Sequence, residues 1–465
     1  MSHVRGLDLH LELGEGRGRG RALEAALREA VRSGRLAPGT RLPGTRSLAA
    51  DLGLSRGTVV QAFSQLVAEG WLVGVAGSGT VVADVPAVAA PAEPARRPAP
   101  AGPAAGIDLR PGRPDIAAFP RTPWASAVRR ALAGSVAPLD YTDPAGLPAL
   151  RAALAAHVAR TRGVRADPDA VVVTAGFTQG LALLARVAHR LGMRRSAVED
   201  PSFPEHRAVL AAGGLPAVPL PVDDGGVDPA ALPDGQALAL LTPAHQHPCG
   251  VVLAPARRAA VVEWARRCDG IVVEDDYDGE FRYDRQPVGA LQPLDPDRVV
   301  FAGSASKTLA PGVRVGWLVV PRALRAELAA EMEAFGAWVP AVDQLALADL
   351  IARGDYDRHV RRMRLAYRAR RQELVARLAA VGAPAPAGVA AGLHTLVPMG
   401  SAEHERRTVA AAERAGVLLY GLHASGFWHE ATPDRPGALV IGYATPPAHG
   451  WRRALDALGE LLRVR

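Results

Sequence analysis

The chain has 465 residues, 49% apolar and 22% charged, with a formal net charge of +7. These values exclude a disordered chain, a collagen and a coiled-coil rod, and the length favours two or three domains with ample core. Two cysteines, Cys249 and Cys268, exclude a disulfide framework and a multi-cysteine zinc site. No apolar run reaches the roughly 18 residues of a membrane span, and residues 1–21 lack the apolar stretch of a secretory signal. A soluble cytoplasmic protein without a metal is expected. Of 54 lysines and arginines only Lys307 is a lysine, and asparagine is absent. That usage suggests a GC-rich genome in which arginine replaces lysine wherever charge suffices. A surviving lysine is then a candidate for what arginine cannot do, nucleophilic attack by a neutral amine.

Residues 21–84 read as a small α/β unit. Leu23, Ala26, Leu27 and Ala30 recur at helical spacing over 22–32, and Gly34 to Gly39 supply breakers. Thr45 is placed to cap a second short helix, 46–52, which Gly53 closes, and Ser55 to cap a third running to Glu69. Two short helices around a glycine turn make a helix-turn-helix. Residues 71–75 and 80–82 read as strands joined at 76–79, a wing. Ser55, Arg56, Thr58 and Gln61 stand where a recognition helix meets base edges. Arg41 and Arg46 suit phosphate contacts, and Ser78 and Thr80 place the wing tip against DNA.

Residues 85–106 are almost wholly alanine, proline and glycine and read as a linker. At about 3.1 Å per residue it would span several tens of Å. Beyond it, candidate strands at 171–174, 237–242, 271–274, 299–302 and 317–320 alternate with helices at 178–191, 257–268 and 323–334. That alternation predicts an α/β domain with a mainly parallel sheet. A long basic helix over 355–378 follows, its arginines read as a solvated face, and a smaller mixed lobe ends the chain.

Three segments of this domain carry candidate chemistry. Residues 303–316 set small hydroxyl side chains, Lys307 and Arg314 in a loop after a strand. Residues 271–277 end a strand in Glu274, Asp275, Asp276 and Tyr277, at the edge where α/β sheets bind ligands. Residues 174–178 pass from strand to helix, and a helix N-terminus attracts phosphate.

The phrases at 32–43, 47–49, 54–59, 66–70 and 77–80 resemble the GntR-type winged helix-turn-helix. The order of the later segments resembles the fold-type-I aminotransferases, which hold pyridoxal 5′-phosphate (PLP). A winged helix, a linker and an aminotransferase-like domain in one chain resemble the MocR family of transcriptional regulators. Phrases at 109–115, 242–248, 274–283 and 359–364 agree. The fold class implied is α/β, with a winged helix-turn-helix at 8–84, a linker at 85–106 and an aminotransferase-like effector and dimerisation domain at 107–465.

The resemblance implies roles. Lys307 would bond the cofactor aldehyde. Asp275, or else Asp276, would pair with the ring nitrogen. Tyr277 would bond the ring hydroxyl, and Phe203 would stack on the ring. Gly176, Phe177, Thr178, Ser304, Ser306 and Arg314 would form the phosphate cup. Tyr141 would reach the phosphate of a neighbouring subunit, which implies a homodimer. His247 stands where the enzymes use asparagine, and would either donate to the ring hydroxyl or pack. The enzymes hold the substrate carboxylate with an arginine near the last strand, where this chain has Val440. An amino acid would need Arg207 or Arg435 instead; His394, His423 and His429 are placed near that region.

The reading that follows is a sensor rather than an enzyme, with at most a transamination half-reaction. The partners are a double-stranded DNA operator and PLP or a PLP–amine adduct, with no membrane, and the regulated genes are those of vitamin B6 synthesis. Control of amino-acid or amine catabolism, or a working aminotransferase tethered to a DNA-binding module, is the alternative.

Overall fold

The computed structural model describes residues 18–77, 79–84, 106–283 and 288–463. The chain divides into two compact units, 1–102 and 103–465. The expected linker, apart from Gly106, lies outside the described residues, as do wing-tip Ser78 and residues 8–17 of the expected first domain.

The first unit holds α1 (Arg19–Arg32), α2 (Thr45–Asp51), α3 (Arg56–Ala68) and an antiparallel hairpin of β1 (Leu72–Val75) and β2 (Gly79–Val82). Leu23, Leu27, Val59, Phe63, Leu66 and Leu72 form its core. Apolar positions three and four apart give α1 and α3 the stripes that meet there. Ser55 caps α3 as expected, its Oγ accepting from the Thr58 backbone at 3.1 Å. Thr45 does not cap α2. Gly44 takes that position and Thr45 is already helical, since glycine is tolerated at a helix start nearly as well as a hydroxyl residue.

The second unit opens with β3 (Ile107–Asp108), α4 (Arg121–Leu132) and α5 (Pro148–Arg162). Next come β4 (Val171–Thr174), α6 (Phe177–Arg190), β5 (Ser196–Asp200), α7 (Pro204–Ala212), β6 (Ala217–Asp223) and β7 (Gly226–Val227). Then follow β8 (Leu238–Leu241), α8 (Pro255–Arg267), β9 (Ile271–Asp275), β10 (Val299–Ser304), β11 (Gly316–Val319), α9 (Arg322–Ala334) and α10 (Ala341–Ala352). The long α11 (Asp355–Ala380) leads to β12 (His394–Pro398), α12 (Ala402–Arg414), β13 (Val417–Leu418), β14 (Tyr420–Gly421), β15 (Ala438–Gly442) and α13 (Trp451–Leu461).

Eight strands make one sheet in the order β4-β11-β10-β9-β8-β5-β6-β7. Pairings from β10 through β9, β8 and β5 to β6 are parallel, and β11 runs against both neighbours. Strands β4, β8 and β11 are buried at every position, the edge strand β4 included, as a sheet covered on both faces requires. β5, β6 and β7 are additions to the strands expected from sequence. Glu199 and Asp200 end β5 like a loop, and Pro219 and Pro221 argue against a strand at β6. β6 accommodates its prolines because β7 pairs only with Val222 and Asp223, leaving the rest of that side an edge.

The smaller lobe is a β12-β15-β14 sheet, with β13 pairing β3 in parallel. Residues 109–112 run on from β3 against β15, where Gly442 donates to the Leu109 carbonyl at 2.7 Å. A Cβ at Gly442 would sit 2.6 Å from the Arg110 carbonyl oxygen, so only glycine lets this strap lie so close. The arginines of α11 are not all a solvated face. Arg370 is buried and pairs with buried Asp115 at 2.8 Å, while also donating to the carbonyls of Ala444 and Pro446. The expectation failed because an amphipathic pattern does not show that one arginine meets a carboxylate 255 residues away.

Asp115→Ala leaves the Arg370 charge buried without its partner. It is expected to lower the stability of this unit by about 3–5 kcal/mol. Equilibrium denaturation checks this, and a loss under about 1 kcal/mol would contradict it.

Candidate functional site

In the first unit α3 turns Arg56, Val60 and Gln61 to the surface. Arg46 is exposed at α2, and Thr80 is half-buried on the wing. Arg41 is exposed and bridges to Val81 of the wing, its guanidinium beside Gly79. Ser55 and Thr58 are less available than the sequence implies. Their hydroxyls bond each other at 2.8 Å as part of the cap, which leaves Arg56 and Gln61 as the exposed polar groups of this end without a partner among the described residues. Val60 adds an exposed methyl surface that the sequence reading passed over.

In the second unit a cavity of about 290 Å³ opens at the ends of the parallel strands. Lys307, Asp275, Tyr277, Phe203, Phe177, Thr178, Ser304, Ser306, Arg314 and His247 all line it. These ten come from five separate stretches of chain, brought together because β9 and β10 are neighbours and α6 begins beside β11. Gly176 lies at the rim: a Cβ there would meet the Arg314 guanidinium at 3.3 Å, and its φ of 92° favours glycine. Tyr141 is 94% exposed and does not line this cavity.

The Lys307 amine donates to the Gly112 carbonyl at 2.8 Å. Gly112 belongs to the strap held by β15. The surrounding protein pushes the lysine pKa down from its usual value, opposed by the charges of Asp275 and Asp278. Asp275 ends β9, buried, and its pKa is pushed up to about 8 by burial, with the lysine charge pulling the other way. Among the described residues no hydrogen-bond donor reaches its carboxylate. Asp276, the alternative partner, is already committed: Arg162 holds it at 2.7 and 2.8 Å. So the free carboxylate in the cavity is that of Asp275.

At one end of the cavity the start of α6 meets Arg314, Thr178 and the hydroxyls of Ser304 and Ser306, which bond each other at 2.9 Å. Helix amides, a guanidinium and hydroxyls together make an anion cup. Aromatic edges close another side: Phe203 contacts His206 and His247 with ring centres 5.2 and 5.8 Å apart. Burial pushes His206 and His394 down to about 3, and His247 well below its usual value, so all three are neutral near pH 7. The Nδ1 of His247 and the Nε2 of His394 are buried without a partner among the described residues.

Behind Tyr277, His245 Nδ1 meets Asp278 at 2.8 Å and the tyrosine hydroxyl at 3.0 Å. His245, Asp278 and His394 offer ligand atoms within 4.8 Å of one another. His245 and Asp278 already satisfy each other, so the cluster reads as support for Tyr277.

Some expectations fail here. Arg207 and Arg435 do not replace the missing carboxylate anchor. Arg207 donates to the carbonyls of Ser202, Gly426 and Phe427, and Arg435 pairs with Asp200 at 3.3 Å. Of the three histidines placed near that region only His394 lines the cavity. His423 turns to the Arg435 carbonyl, and His429 meets Asp200 through its backbone. Val440 is fully buried among Leu422, Phe427 and Trp428. His206, Glu199, Ser202 and Thr242 line the cavity unforeseen. Only His206 left a signal, standing one helical turn after Phe203.

Residues 20–82 match the gntR family of bacterial regulatory proteins, and residues 113–457 match the class I and II aminotransferases. The HTH-type pyridoxine biosynthesis transcriptional regulator PdxR of Corynebacterium glutamicum is 37% identical over 347 residues, 74% of this chain and 76% of that protein. The probable rhizopine catabolism regulatory protein MocR of Rhizobium meliloti is 36% identical over 368 residues, 75% of this chain and 74% of that one. This chain belongs to the MocR family of transcriptional regulators. The larger unit of this MocR-family protein shares its fold with an archaeal alanine:glyoxylate aminotransferase, with a TM-score of 0.68 at 22% identity over 77% of this chain and 90% of that one. Among the described residues no helix is long and apolar enough to cross a membrane.

Burial in the fold pushes the Asp275 carboxyl up from its ordinary 3.8 to about 8. Between those values the folded state binds the extra proton, so stability falls as pH rises through that window. Glu199 and Glu274, both pushed up to about 7, add to the same slope. Asp275→Asn is expected to flatten the fall without removing it. Denaturation midpoints measured from about pH 5 to 8 check this, and a variant curve parallel to the wild type would contradict it.

Proposed function

We propose that this regulator binds PLP in the cavity around Lys307 and that occupancy changes its affinity for operator DNA. The observation that carries the reading is that the chain's sole lysine and the buried carboxylate of Asp275, unbonded among the described residues, line one cavity beside an anion cup. When bound, PLP supplies an aldehyde that captures a primary amine and a ring that withdraws electrons. Lys307 offers that amine, and its lowered pKa favours the neutral, reactive form. Asp275 is the carboxylate available to a protonated ring nitrogen. Tyr277 and His247 are available to the ring hydroxyl, and Phe203 to the ring face. The cup of Thr178, Ser304, Ser306 and Arg314, with the backbone at Gly176 and Phe177, suits a phosphate. Tyr141, exposed on its own protomer, is available to the cup of a second copy in a homodimer.

The regulated genes are proposed to be those of vitamin B6 synthesis, acting in the cytoplasm. The likeness to PdxR supports this, as does the absence of a carboxylate anchor at Val440, which favours an effector without an α-carboxylate. One residue favours a second reading as an aminotransferase. Arg113 lines the cavity, although it is paired with Asp108 and would have to leave it to hold a carboxylate. Sustained turnover of about 1 per second with an amino acid and a keto acid would favour that reading.

For PLP to act as effector it must bind one arrangement of the protein more tightly than another. A tenfold change in DNA affinity needs about 1.4 kcal/mol of difference. PLP titrated into a gel shift on the gene's own upstream region is expected to give at least that change, and indifference would sink the sensor reading. Lys307→Ala and Lys307→Arg are both expected to abolish yellow colour and borohydride-fixed label. A yellow Lys307→Arg protein would overturn the assignment. On the DNA side, Arg56→Ala is expected to cost about 1–3 kcal/mol and relax specificity. Arg46→Ala is expected to reduce the salt slope by about 1 with all sequences affected alike. An Arg46→Ala slope equal to the wild type would remove that residue from the phosphate contacts.

A further inference from the structure

A second cleft, of about 450 Å³, lies in the larger unit away from Lys307. It is lined by the last turn of α5 with Arg160 and Arg162, by Gly279 and Glu280 after β9, and by Asp357, Arg361 and Arg364 of α11. Most of its charges are matched. Arg162 holds Asp276, Arg160 meets Asp357 at 2.7 Å, and His157 meets Glu280 at 2.8 Å. Two guanidiniums remain. Arg361 reaches only the Asp357 backbone carbonyl, at 3.4 Å. The Nε of Arg364 is buried with no hydrogen-bond partner. Neither arginine has a carboxylate within ion-pair distance among the described residues.

Arg361 and Arg364 are one helical turn apart, the spacing that sets two side chains side by side. Paired guanidinium forks suit the oxygens of a phosphate, which accept bidentate hydrogen bonds and carry the missing negative charge. Against Arg160, Arg162, Arg361 and Arg364 stand Asp276, Glu280 and Asp357, a surplus of one positive charge on the lining and its immediate partner.

We propose that this cleft is a second anion site, which takes a small phosphorylated molecule between Arg361 and Arg364. It does not depend on the reading of the Lys307 cavity, but it adjoins it. A narrow void of about 20 Å³ is lined by Tyr277 and Ser304, which also line the first cavity, and by His157, Thr161, Arg162 and Glu280, which also line the second. Arg162 therefore stands at the cleft with Asp276 in its grip, one residue from Asp275. A ligand that draws on Arg162 changes the charge felt by the carboxylate of the first cavity.

The test uses the full chain and inorganic phosphate, followed by equilibrium dialysis and calorimetry. Arg361→Gln with Arg364→Gln is expected to remove one phosphate per chain, or weaken it at least tenfold. Ser304→Ala with Arg314→Gln is expected to leave that site intact. Should the first cavity take no phosphate, the wild type still binds one, and the α11 variant still loses it, so the two readings fail separately. Arg361→Glu, a single change at an exposed side chain, serves if the double variant does not fold, and is expected to give the same loss. Unchanged stoichiometry in the α11 variants, or loss only in the Ser304/Arg314 variant, would overturn the site. A short DNA duplex is the remaining arm. If the α11 variants bind DNA more weakly while phosphate binding is unchanged, these arginines serve the DNA backbone and the small-molecule site is wrong.

Discussion

The hydrogen bond from Lys307 to the Gly112 carbonyl ties the two ends of the larger unit together at its cavity. The lysine stands in the loop between β10 and β11, deep in the main sheet. The carbonyl stands on the strap that β15 of the smaller lobe holds in place. Two glycines make this possible: Gly442 lets the strap lie against β15, and Gly112, with φ of 93°, turns the strap over the amine. The amine, the Asp275 carboxylate and the anion cup are thereby fixed within one enclosed space.

Enclosure acts on opposite charges in opposite directions. It lowers the pKa of Lys307, His206, His247 and His394 and raises those of Asp275, Glu199 and Tyr277. Each group is pushed toward its neutral form, and the tyrosine is further held by Asp278 and His245. A site so poised favours a partner that restores charge to Asp275 and accepts an amine from Lys307. The same physics keeps Val440 and its apolar neighbours from offering anything to a carboxylate.

Much of this was legible in local sequence. The lone lysine, the strand ending in Asp275 and Tyr277, and the hydroxyls around Ser304 and Ser306 each announce themselves because strand ends and helix starts have strong local signatures. The winged helix was legible for the same reason, down to the Ser55 cap. What stayed hidden depends on long-range contacts. β6 carries prolines that only an edge position excuses. Arg370 reads as a surface residue until Asp115 meets it. Arg207 and Arg435 look available until the carbonyls near Gly426 and the carboxylate of Asp200 take them.

By itself the sequence determined the class of the two units, the single lysine and the absence of an arginine at position 440, because residue identity and local periodicity do not depend on what folds against them. Only the tertiary structure decided that Asp275 rather than Asp276 faces the cavity. Arg162 sits more than a hundred positions upstream, and which carboxylate it neutralises is set by packing, not by spacing. That Arg361 and Arg364 meet no carboxylate among the described residues was decided the same way, since a charge is free or matched only once every neighbour has taken its place.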